Sequence, residues 1–126
     1  MFTGNTPLPP PLAVGARAAL AVLRREGAER RARLGRNVAA VREGLRLAGA
    51  EVTDSPGPVV TIAPAGVAAV ARLTRLLRAA RIMPPLIRYP NGPAPCYFRF
   101  AISSEHTAEQ VARLVGALRT FHRGSA

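Results

Sequence analysis

The sequence predicts an α+β domain: a two-layer sandwich in which a small, largely antiparallel three-stranded sheet carries helices on one face, behind a long N-terminal helix. Two observations carry that reading. Leu34, Val38, Val41 and Leu45, spaced four, three and four, mark an apolar helical stripe. In Cys96–Ile102, residues alternate so that Cys96, Phe98, Phe100 and Ile102 share one face while Tyr97, Arg99 and Ala101 share the other.

Taken in order, residues 1–11 form a Pro-rich arm and residues 12–126 a single domain. Four prolines among Pro7–Pro11 forbid a helix until the last of them, which suits a first helical turn. The helix then runs from Leu12 to about Ala48. Gly27 is the expected break, Glu26/Arg30 and Glu29/Arg33 are i,i+4 pairs, and Gly49 is the stop. Asp54-Ser55-Pro56-Gly57 is a turn, and the β-branched run Val59–Ile62 is a strand. Val67, Val70, Leu73, Thr74 and Leu77 mark a second helix ending near Arg81, stopped by Pro84 and Pro85. Leu86–Tyr89 is a short strand, joined by a breaker-rich loop to the Arg99 strand beside it. Thr107 with Gln110 forms a capping box, and Val111, Leu114, Val115 and Leu118 give the last helix its stripe.

Composition narrows the function classes. All 18 basic residues are Arg, giving a net charge of +11, and the isoelectric point is 11.8. That charge suggests nucleic acid, but Arg24–Arg36 holds no aromatic residue for base stacking and follows ordinary solvated helix faces. An Arg-rich nucleic-acid-binding domain is therefore the disfavoured alternative. Without Lys, no side chain can form a Schiff base. His106 and His122 lie sixteen apart with no second cysteine, so no metal site is expected. Ser103, Ser104, Glu105 and His106 are too close in sequence for a relay, and no catalytic residue is assigned. Cys96 reads as a small core residue; a lone cysteine suits a reducing, cytoplasmic setting. No secretory leader or membrane span is visible.

Arg99 is the candidate binding residue. A guanidinium stays charged and is costly to bury unpaired, so in mid-strand it requires solvent, an internal carboxylate or an anionic ligand. With helices on one side only, its face has no internal cover.

Phe2-Thr3-Gly4-Asn5-Thr6-Pro7-Leu8-Pro9-Pro10, the long helix, and Phe98–Thr107 together resemble the C-terminal part of the α-oxoamine synthases. These pyridoxal-phosphate enzymes of the class I/II aminotransferase fold include 8-amino-7-oxononanoate synthase and 2-amino-3-ketobutyrate CoA ligase. The resemblance implies decarboxylative condensation of an amino acid with an acyl-CoA, the cofactor serving as electron sink. It implies that Arg99 binds the substrate α-carboxylate through a bidentate fork. It also implies that Thr6 reaches the cofactor phosphate of a neighbouring subunit, and that His106 is structural. Tyr97 stands where the family often has a second Arg, and Tyr89–Pro93 departs from the family's usual loop. The family's large domain, with its cofactor-bearing lysine, is absent from these residues. No cofactor is expected on this chain alone, and the expected partners are a large domain or partner subunit, with homo-oligomerisation through uncovered apolar surface. A stand-alone interaction module is the rival reading.

Overall fold

A computed structural model describes residues 9–52, 55–88 and 96–124. Its elements follow the predicted order: α1 (Pro10–Arg46), β1 (Val59–Ile62), α2 (Gly66–Ala79), β2 (Leu86–Ile87), β3 (Tyr97–Ala101) and α3 (Ala108–Arg123). The chain divides into two compact units, residues 1–32 and 33–126.

In the first unit, α1 continues through Gly27, where a break was expected. A single helical glycine costs only about 1 kcal/mol, which strong helix formers on either side offset. The predicted Glu26/Arg30 pair forms at 2.7 Å, and it holds the Glu26 carboxyl below its usual range. Leu12, Val14, Leu20 and Leu23 are exposed. Glu29 does not pair with Arg33 as expected.

In the second unit Arg33 instead reaches Glu105, 3.5 Å away and far along the chain. Val38, Val41 and Leu45 are buried as the spacing predicts. Gly49, at φ +80, closes α1: its N–H donates to Arg46 O and the Ala50 N–H to Leu45 O. This is the paired C-terminal bonding that a left-handed glycine permits. The same pairing ends α2, with the Arg81 N–H on Arg78 O and the Ile82 N–H on Leu77 O, although Arg81 carries a side chain at φ +56. Gly44 has a packing role, since a Cβ there would run into Val115 of α3.

The sheet order is β1-β3-β2, both pairings antiparallel. Asp54 of the predicted turn with Thr53 before it, and Tyr89 with the loop after it, lie outside the described residues. One sheet face, with Val60, Phe98, Phe100 and Ile102, joins Leu73, Leu77, Leu114 and Leu118 in the core. Arg72 fastens α2 to α3 by donating from Nη2 to the Thr120 and Phe121 carbonyls, both at 2.9 Å. The capping box at Thr107 and Gln110 is present in both directions.

Candidate functional site

Arg99 lies on the middle strand and its side chain is exposed, on the face away from the core. The register places Thr61 directly opposite it on β1, and Ile87 opposite Tyr97 on β2. Backbone bonding fixes the pair type. The Arg99 N–H donates to Pro85 O, toward β2, and the Ile102 N–H donates to Pro58 O, toward β1. Even-numbered residues of β3 therefore exchange bonds with β1, and Thr61 and Arg99 form a non-hydrogen-bonded pair, in which opposed side chains approach most closely. Ala101 is exposed and Tyr97 half-buried on the same face. Among the described residues, no carboxylate pairs with Arg99. An exposed, unpaired fork on a rigid central strand, with a hydroxyl beside it, can bind a carboxylate at both oxygens.

The segment after β3 is braced by a residue that sequence reasoning missed. Asn37 of α1 donates from Nδ2 to Ser103 O at 2.9 Å and to His106 O at 3.0 Å. The Ser103 N–H in turn donates to His106 Nδ1 at 3.1 Å. His106 thus helps hold the segment after β3, its Nδ1 accepting that bond. The missed signal was a short amide, a poor helix former, next to the apolar stripe in a helix otherwise rich in Ala, Leu and Arg. Ser104 Oγ donates to Glu105 Oε1, and the Glu105 N–H donates to Ser103 Oγ. None of these contacts forms a Ser–His–acid relay.

Cys96 corrects the expectation of a core residue. It is half-buried just before β3 and lines a groove with Arg88 and with Val67 and Val70 of α2. Thr6 lies outside the described residues. No group of His, Cys, Asp and Glu able to hold a metal occurs among the described residues, nor does a helix long and apolar enough to cross a membrane.

The model of the aminotransferase class I and II family matches residues 1–118. The chain belongs to that family. Relatives include 8-amino-7-oxononanoate synthase of Pseudomonas putida, 37% identical over 115 residues that make up 90% of this chain and 29% of the relative. The synthase of Thioalkalivibrio sulfidiphilus is 34% identical over 125 residues, 98% of this chain and 32% of the relative. Among solved structures, serine palmitoyltransferase from S. paucimobilis with bound PLP–myriocin aldimine matches with a TM-score of 0.77 at 24% identity. That match covers 96% of this chain and 31% of the other. The 8-amino-7-oxononanoate synthase of Francisella tularensis matches with a TM-score of 0.58 at 24% identity, over 71% of this chain and 26% of its own. These likenesses concern the fold, that of a fold-type I PLP enzyme. The chain spans about a third of the length of the relatives it matches. Pyridoxal phosphate is the cofactor of the family, but this sequence holds no lysine to take up its aldehyde, so the described residues do not fit a cofactor site.

Proposed function

We propose that residues 12–126 are the C-terminal small domain of an 8-amino-7-oxononanoate synthase-like enzyme, which condenses an amino acid with an acyl-CoA. In this reading Arg99 binds the α-carboxylate of the amino acid and Thr61 lines the same subsite. The arm of residues 1–11 carries Thr6 toward a cofactor phosphate. The single observation behind the reading is the exposed guanidinium of Arg99, without a carboxylate partner among the described residues, on the sheet face that no helix covers. Sequence similarity to the synthases along nearly the whole chain supports the reaction class.

The 126 residues by themselves are catalytically inert on this account, because a lysine-bearing large domain has to supply the cofactor and the bond-making groups. The partner is that domain or a subunit carrying it, in a cytoplasmic homo-oligomer. Two measurements test the proposal. A hybrid is made by joining this chain to the remaining part of the P. putida synthase, in place of the matching C-terminal residues. It should form 8-amino-7-oxononanoate; a folded, cofactor-loaded hybrid without product would refute the assignment. Borohydride trapping of the isolated chain with pyridoxal phosphate should label at most its N-terminal amine. A side-chain adduct that supports turnover would overturn the claim of inertness.

A further inference from the structure

The outer edge of β1 is bordered by a cleft of about 400 Å³, lined by Val59–Ala63 together with Arg42, Leu45 and His122. In the register described above, Val60 and Ile62 direct their backbone groups toward β3. The N–H and C=O of Val59 and Thr61 therefore face the cleft, and no partner for them occurs among the described residues. An unpaired strand edge is a template for another extended chain.

Two of the lining residues also carry an orphaned nitrogen. Arg42 Nη2 donates to Gly57 O at 2.8 Å, but its Nε is buried with no partner, and so is His122 Nε2. Buried polar atoms are nearly always satisfied, so each such atom calls for a ligand or solvent group. Burial holds the His122 pKa below its usual value, and the neutral ring offers Nε2 as donor or acceptor according to its tautomer. Arg42, held by its Gly57 bond, contributes positive charge. Glu51, also lining the cleft, is exposed to water.

Backbone groups that want a strand, apolar walls from Leu45 and Val60, and a fixed positive charge together describe one kind of occupant. We propose that this cleft receives an extended, acidic polypeptide segment, which adds to β1 as a fourth strand and sets a carboxylate beside the Arg42 guanidinium. Two outward-facing residues on β1 accommodate a segment of about four residues. Arg42 is the cation that a carboxylate would meet, and Glu51 stands in water at the rim. The cleft meets the Arg99 subsite at Thr61, but the proposal uses only that residue's backbone and does not depend on the Arg99 assignment.

The test uses the full chain, labelled with ¹⁵N, and a short acetylated and amidated peptide alternating valine and glutamate. The Val59 and Thr61 amides should shift and become protected from exchange. Replacing glutamate by glutamine in the peptide should weaken binding about tenfold. Val59→Pro removes an outward N–H without breaking the β1–β3 ladder, and should abolish binding. Because that variant could unfold, an N-methylated peptide is run against the unchanged protein, and it should fail to bind. Unmoved Val59 and Thr61 amides at millimolar peptide would overturn the proposal. So would equal binding of the glutamate and glutamine peptides, or shifts confined to Arg24–Arg36.

Discussion

The two faces of the sheet are made from alternate residues of the same short strands, yet they obey opposite rules. Phe98 is 0% exposed while its neighbour Arg99 is exposed. On the core face the helices supply matching apolar surface, so side-chain volume decides what is tolerated. On the open face Thr61, Arg99 and Ala101 are exposed, so charge and hydrogen-bonding capacity survive there. In the proposed function, adjacent positions on one strand thus serve stability and recognition with little interference.

The sharpest contrast is between those neighbours. Phe98→Ala should cost about 3–5 kcal/mol, whereas Arg99→Ala should stay within about 0.5 kcal/mol, both read from urea unfolding. Similar losses at the two positions would erase the distinction between the faces. Gly44→Ala probes how tightly the covering helices fit. Overpacking against Val115 should destabilise by about 1–3 kcal/mol, and adding Val115→Ala should recover part of that loss.

Asn37→Ala tests the brace that follows the Arg99 strand. Freeing the Ser103 and His106 carbonyls should cost about 1–3 kcal/mol, with faster amide exchange after Ala101 as its local signature. The smallest effect is a pH dependence. His122 has a lowered pKa in the fold, so the unfolded chain takes up its proton first. Stability should fall as pH drops below about 6.5 and level off beneath the folded value. His122→Gln should remove that part of the acid loss; an unchanged pH profile would contradict the burial of the ring.

Much of this arrangement was legible in the sequence because it rests on local periodicity. Leu34, Val38, Val41 and Leu45 announced one helix, and the alternation around Arg99 announced both sheet faces. The capping box at Thr107 and the stop at Gly49 are local chemistry, and they were read in place. What escaped depends on partners distant in sequence. Arg33 chose Glu105 over Glu29, Asn37 found carbonyls beyond the last strand, and Gly44 made room for Val115. Gly27 misled in the other direction, since its helix penalty is real but too small to interrupt α1. Cys96 shared the core alternation yet opens onto a groove beside the start of α2. The orphaned nitrogens of Arg42 and His122 follow from tertiary packing, which no spacing rule encodes.

The most direct measurement of the account is the steady-state kinetics of Arg99→Ala in the hybrid with the P. putida synthase. Losing a charged fork on the carboxylate should raise KM for the amino acid about a hundredfold, while KM for the acyl-CoA stays unchanged. An unaltered KM for the amino acid would contradict the assignment of the open sheet face as the carboxylate-binding surface.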